Sequence, residues 1–480
     1  MKGNETVMIF KFFDRFFNDI RSFLDPHKYE LLQSYFETNL AELWENCILE
    51  SIKSVFTSVY KGIVLNIIFG LLTSFGLPGI LFHWLSTLLG VCMLFTTVQS
   101  STGLIVVFVT FLSSFFIICF NKYVQSRWAL KQQPEAKKTT RSWLSCASCS
   151  QYGSIVLFVL CEYLLLEKET WLEIRGIMMV FSMKLTSLIA DLPGPNLPGL
   201  SAYFGYMFCP GNILFGPWIS FEHYMMQVNF PTRKNLHWLY GIIRALMCAV
   251  IFVTISNCWA SYFISEDSNS FLLGYQEALS FRSSHYFVCY LSEAFMIAGG
   301  YKDFAYHFEE AYWKLSITNV WAIELPMSLA VVATNWNKPM HEYLKKYVYR
   351  LWLPSGKFRA VLLTFVTSSL FHGLELKVST VLVCLGVFSY LQILVRDYIS
   401  QAFDICVKVY PCKSCQHEIK RDSIVSKLTL LTFSLFTALH LVFLGVLMDE
   451  SAAEVGIFQK WNDLYFCSLW IMFVNFLLVK

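Results

Sequence analysis

An asparagine at 337 and a histidine at 372 stand inside strongly apolar sequence, Asn337 in T-N-W-N-K-P-M-H and His372 in T-S-S-L-F-H-G-L. Polar and ionisable side chains placed where hydrocarbon belongs are costly, so they mark function by default. The imidazole of His372, with an ordinary pKa of about 6.5, can accept a proton from a hydroxyl nucleophile. The amide of Asn337 can donate a hydrogen bond to a carbonyl oxygen that is gaining charge. Together the two roles describe transfer of an acyl group to an alcohol without a covalent enzyme intermediate. The non-catalytic alternatives are a histidine hydrogen-bonded across helices and a structural asparagine.

The elements around them have to be membrane elements. Hydrophobic residues make up 56% of the 480, aromatics 17% and charged residues only 15%, whereas a soluble domain carries about 25% charged residues. Apolar segments suited to about 30 Å of hydrocarbon at about 1.5 Å per residue recur at 62–75, 79–98, 103–121, 153–166, 175–192, 237–262, 275–299, 325–334, 358–374, 376–394, 426–447 and 463–479. The short ones are expected to be broken or buried helices. The stretch 193–221, with P-G-P-N-L-P-G-L and C-P-G-N-I-L-F-G-P-W, cannot be one helix, because proline removes a donor and clashes with the preceding turn. Irregular backbone at membrane depth survives only where protein or a water-filled cavity covers it, so a re-entrant element is expected there. The net charge of +3 requires no nucleic-acid surface.

The first residues, M-K-G-N-E-T-V-M-I-F-K-F-F-D-R-F-F, lack the uninterrupted apolar core of a signal peptide. They read as an amphipathic helix on the membrane surface, or as a cap helix packed on its own bundle. Residues 1–60 are accordingly assigned to interfacial helices and 61–480 to a multi-span catalytic domain. Basic residues in short loops set orientation. Lys122, Arg127, Lys131, Lys137, Lys138 and Arg141 mark one cytosolic loop; Lys345, Lys346, Arg350, Lys357 and Arg359 a second; Lys408, Lys413, Lys420, Arg421 and Lys427 a third. The acidic turn of Asp449, Glu450 and Glu454 falls on the other side, and counting back places the N-terminus, with its sequon Asn4-Glu5-Thr6, in a lumen. A helix leaving the cytosolic surface near Arg359 carries His372 roughly 20 Å inward at about 1.5 Å per residue, past the midplane. Asn337 lies on the cytosolic side, so a site reached from both faces is implied.

Six ordered blocks give a family resemblance: R-G-I-M-M-V-F-S-M-K-L-T-S-L at 175–188, F-G-P-W-I-S-F at 215–221, S-S-H-Y-F-V-C-Y-L-S-E-A at 283–294, E-L-P at 324–326, N-W-N-K-P-M at 335–340 and S-S-L-F-H-G at 368–373. The chain resembles the membrane-bound O-acyltransferases, in the branch that acylates a serine of secreted Wnt proteins in the endoplasmic reticulum membrane. The likeness covers about 171–375. It implies an all-α polytopic fold of about 11 transmembrane helices with re-entrant elements around a central tunnel. It also implies that His372 is the catalytic base and Asn337 its partner. The implied substrates are an acyl-CoA, palmitoleoyl-CoA, arriving from the cytosol, and a Wnt protein arriving from the lumen, with no resident cofactor and membrane lipids as surroundings. One departure is Met327, at a position commonly basic in relatives.

Neighbours in sequence extend the candidate site. Trp336, Ser368 and Phe371 flank the two polar residues and are expected to shape the reaction chamber, with Tyr286 and Trp218 as further substrate-binding candidates. Ser368 and His372 are four residues apart, on one helix face, so the hydroxyl could orient the ring; an intrahelical bond to a carbonyl is the alternative. His285 and Glu293 share a helix side and suit either a proton relay or a bracing network. Arg175 and Lys184 suit helix-end caps, snorkelling side chains or contacts to CoA phosphates.

The 15 cysteines include Cys146-Ala-Ser-Cys149 and Cys412-Lys-Ser-Cys415, with His417 after the second pair, a spacing known from zinc sites. The pairs are far apart, and cysteines beside membrane helices are often S-palmitoylated. The expectation is therefore no resident metal and structural or lipidated thiols. Other function classes are a lipid-directed acyltransferase, a transporter and a non-catalytic scaffold. No repeat of paired half-length segments supports a transporter, and an intact Asn337 and His372 disfavour a scaffold.

Overall fold

An unpaired backbone group in hydrocarbon costs several kcal/mol, so a chain of this composition must close its hydrogen bonds within helices. The computed structural model describes residues 39–129, 149–192, 198–231, 233–302, 315–410, 412, 414–448 and 456–479. Among the described residues there is no β-strand, only an isolated bridge between Ile405 and Ile419. The expected surface helix, the sequon, Lys131 to Arg141, Cys146, Lys413, the Pro-Gly run 193–197 and the acidic turn lie outside the described residues.

In chain order the helices are α1 (Leu49–Thr73), α2 (Gly79–Thr97), α3 (Ser101–Ala129), α4 (Cys149–Leu165), α5 (Lys168–Asp191), α6 (Leu200–Met207), α7 (Phe221–Asn229), α8 (Leu236–Thr254) and α9 (Ser270–Ala298). There follow α10 (Val320–Glu324), α11 (Leu329–Trp336), α12 (Lys338–Leu344), α13 (Lys357–Phe371), α14 (Leu376–Ala402), α15 (Ile424–Gly445), α16 (Ile457–Asp463) and α17 (Cys467–Val479). Among the described residues six helical stretches are long and apolar enough to cross a bilayer, and α16 with α17, bent by 86°, make a seventh if taken as one span.

Two expected spans differ from what forms. The first helix runs unbroken from Asn39 to Thr73 rather than from 62, so the division drawn at residue 60 falls inside it. Glu50, Lys53 and Lys61 interrupt an apolar pattern without interrupting a helix, and Glu50 and Lys53 even form an i,i+3 ion pair at 3.8 Å. The stretch 325–334 is no span at all. Pro326 separates α10 from α11, and Asn337, in extended backbone at φ −142°, separates α11 from α12. From 198 to 221 the chain is not one helix, as expected: α6, a turn through Cys209 and Asn212, and a non-helical run to Ser220, whose hydroxyl caps α7 by accepting from the His223 N–H.

Close approaches hold these pieces. A Cβ on Gly90 would stand 1.7 Å from the carbonyl oxygen of Phe208, so α2 meets the chain after α6 only because residue 90 has no side chain. The ammonium of Lys184, buried on α5, donates to the carbonyls of Tyr206 (2.9 Å) and Met207 (3.3 Å) and to Oδ1 of Asn212 (2.6 Å). A cation at the carbonyl end of α6 complements that helix's dipole, which makes Lys184 a helix-end cap. At one end of the bundle a disulfide joins Cys47 and Cys258, 211 residues apart.

Candidate active site

His372 closes α13. Its N–H donates to the Ser369 carbonyl at 3.0 Å, and Gly373 follows with φ +90°, a backbone conformation glycine adopts without penalty. A Cβ at 373 would stand 2.8 Å from Oε2 of Glu162 on α4, the movable end of a long side chain, so it is the backbone angle that calls for glycine. His372 is partly exposed, between the buried Phe371 and Gly373. From α5, Nη1 of Arg175 donates to the main-chain carbonyl of His372 at 3.2 Å. Of the roles open to Arg175, capping a helix end is the one this contact supports.

Asn337 is set by capping. It is the N-cap of α12, with Pro339 in the first turn, and its Oδ1 accepts from the Met340 N–H at 3.1 Å. An N-cap must present an oxygen to the helix, so the amide's donor, Nδ2, is the end left for other contacts. The turn is pinned from outside by 315–319: Asn319 N–H donates to the Asn335 carbonyl (3.1 Å), Thr318 Oγ1 donates to the same oxygen (3.1 Å), and Lys338 N–H donates to the Ile317 carbonyl (2.8 Å).

A third helix joins the two. His285 on α9 stacks on the indole of Trp336 with ring centroids 4.2 Å apart and 12° between planes, and its Nε2 meets the Trp336 carbonyl at 2.9 Å. A carbonyl only accepts, so Nε2 carries the hydrogen. His285 also lies within electrostatic reach of His372. The next residue, Tyr286, its ring 6.2 Å from Trp336, donates to Oε1 of Glu324 at 2.7 Å. Arg282 grips the same carboxylate with Nε (2.8 Å) and Nη2 (3.0 Å), a fork-on-carboxylate pairing. Glu293 turns elsewhere and pairs with Arg244 of α8, so it forms no pair with His285 and braces α8 against α9.

The other candidates are packed. Trp218 donates from Nε1 to Ser187 Oγ at 3.1 Å and meets the Tyr343 ring edge-on at 5.4 Å; Tyr343 in turn lies 6.1 Å from Phe371. Phe371 is buried against Phe158 as well. Ser368 is buried, and among the described residues no hydrogen bond joins it to the His372 ring. The structure thus assembles His285, Trp336, Asn337 and Tyr286 through direct neighbours, sets His372 apart on the end of α13, and links Trp218 to Phe371 through Tyr343. Sequence reasoning overlooked the Arg282–Glu324 pair. The available signal was a basic and an acidic residue, each alone in apolar sequence, which in a membrane seek each other.

The helical membrane bundle carries a partly exposed histidine at one helix break and a capped asparagine at another, and the chain belongs to the MBOAT, membrane-bound O-acyltransferase family, whose profile matches residues 91–412. Both polar residues lie within that match. The chain is 32% identical over 343 residues to the protein-serine O-palmitoleoyltransferase porcupine of Anopheles gambiae, covering 64% of this chain and 69% of the relative. The mouse (Mus musculus) protein of that name is 31% identical over 368 residues, 68% of this chain and 79% of its own. That of Drosophila melanogaster is 33% identical over 314 residues, 60% of this chain and 59% of its own.

Proposed function

We propose that this membrane-bound O-acyltransferase moves a palmitoleoyl group from palmitoleoyl-CoA to a serine hydroxyl of Wnt proteins in the endoplasmic reticulum membrane. The observation that carries the reading is the partly exposed His372, which closes α13 and is held at its main-chain carbonyl by Arg175 of α5, with Nδ2 of Asn337 in no hydrogen bond among the described residues. It is supported by the shared names of the relatives.

In the proposed step the serine oxygen attacks the thioester carbon while an unprotonated nitrogen of His372 takes the hydroxyl proton. Nδ2 of Asn337 donates to the thioester oxygen as charge builds there. Collapse of the tetrahedral adduct breaks the carbon–sulfur bond, and the imidazolium returns its proton to the CoA thiolate. The products are an O-acyl serine and free CoA. The face bearing the Cys47–Cys258 disulfide is assigned to the lumen, where disulfides persist. That places the α9 end at Ser270 on the acceptor side and the basic residues Lys345 and Lys346 on the donor side, in agreement with the loop charges.

The test is transfer of a labelled palmitoleoyl group from CoA by purified protein to a Wnt peptide with and without its serine, beside a lysophospholipid acceptor. Label on the serine peptide alone is expected, with a loss of about 10²–10⁴-fold in His372→Ala. Preferred labelling of the lipid overturns the acceptor assignment, and unchanged turnover in His372→Ala removes the base.

A further inference from the structure

On the face opposite the disulfide, the loop between α14 and α15 brings Cys406, which sequence spacing did not join, to Cys412 and His417. Cys406, Cys412 and His417 bring one ligand atom each to within 4.8 Å of one another. A tetrahedral zinc with Zn–S of about 2.3 Å and Zn–N of about 2.0 Å needs its ligands about 3.5–3.8 Å apart, so closure asks for no more than about an ångström of movement. Cys406 is buried and fixed by its N–H bond to the Ile419 carbonyl at 3.0 Å, beside the Ile405–Ile419 bridge.

The histidine is prepared for this. Nδ1 of His417 meets Oδ1 of Asp404 at 3.0 Å, while Oδ2 of that carboxylate accepts from the Glu418 N–H at 2.9 Å. An ionised carboxylate only accepts, so Nδ1 carries the hydrogen and Nε2 is left with its lone pair. A carboxylate behind a histidine is the arrangement that orients histidine ligands in zinc sites. Nε2 has one weak contact, to Ser400 Oγ at 3.3 Å, easily exchanged for a metal bond. Cys415, free and partly buried, stands between Cys412 and His417 in sequence and is the candidate for a fourth ligand. The Cys415 main chain is held by Lys420, whose ammonium donates to the Cys415 carbonyl at 2.9 Å. On the cytosolic side such thiols stay reduced, which favours a metal over a disulfide.

We propose that Cys406, Cys412, Cys415 and His417 bind a structural zinc ion that closes the loop joining α14 to α15. Softness of the donors selects zinc among the common divalent ions. The test uses full-length protein carrying a histidine-free tag, extracted in detergent with reductant and without chelator. Metal analysis is expected to find stoichiometric zinc, and cobalt exchanged into the same protein is expected to show the absorption of a tetrahedral thiolate site. Cys406→Ser with Cys412→Ser, and separately His417→Ala, are expected to lose the metal. Wild-type protein without zinc, or with acyl groups in thioester linkage on Cys412 and Cys415, overturns the proposal. So does undiminished zinc in the double variant. Unchanged zinc affinity in Cys415→Ser overturns its place as the fourth ligand.

Discussion

The guanidinium of Arg175 donates to the main-chain carbonyl of His372 across 197 residues of sequence, at 3.2 Å. Helix α13 ends at that carbonyl, so α5 fixes where the proposed base stands. A hydrogen bond from a charged group contributes about 1.5–3 kcal/mol, and its loss leaves α13 free to shift by a fraction of an ångström. Arg175→Met is expected to lower kcat about tenfold or more, since about 1.4 kcal/mol is a tenfold change, with little change in KM for acyl-CoA. Equal losses through KM alone would point instead to donor binding.

Asn337 serves a helix with its oxygen and, by proposal, a thioester with its nitrogen, and substitutions separate the two. Asp and Ser also cap helices, whereas Ala at an N-cap costs about 1 kcal/mol. Asn337→Asp and Asn337→Ser should therefore unfold at the wild-type temperature while losing about 10²–10³ in kcat, the worth of one donor to developing charge. Asn337→Ala should lose both. Full activity in the Asp variant would deny the amide its donor role.

Buried charges in a forked pair are most costly when one is orphaned. Arg282 has a side chain only 6% exposed and binds Glu324, itself 25% exposed. Arg282→Ala is expected to destabilise by about 3–5 kcal/mol, read as a lower unfolding temperature in detergent. Removing both charges with Arg282→Met and Glu324→Leu should recover part of that loss. A double variant less stable than the single one would show that Glu324 is held chiefly by Tyr286.

The disulfide gives the orientation an independent check. In sealed microsomes a membrane-impermeant reductant is expected to leave Cys47–Cys258 closed, and to open it once detergent is added. Cys47→Ser should lower stability by about 2–5 kcal/mol. Reduction from the cytosolic face of intact microsomes would invert the proposed topology.

From residue types alone, the membrane class, the helical fold, the helix break within 193–221, the family and the two polar residues His372 and Asn337 were all legible. Each rests on a local property: apolar length, proline chemistry, an ordered set of short motifs, or a polar group where hydrocarbon is expected. Only the tertiary structure decided that Arg175 holds the His372 carbonyl, that His285 stacks on Trp336, that Glu324 answers Arg282, and that Cys406 joins Cys412 and His417. Periodicity tells which face of a helix a residue shares, but not which distant helix packs on that face. The Ser368–His372 contact, one of two alternatives left open by their spacing, shows the same limit: among the described residues, a shared helix face did not produce a hydrogen bond between the two side chains.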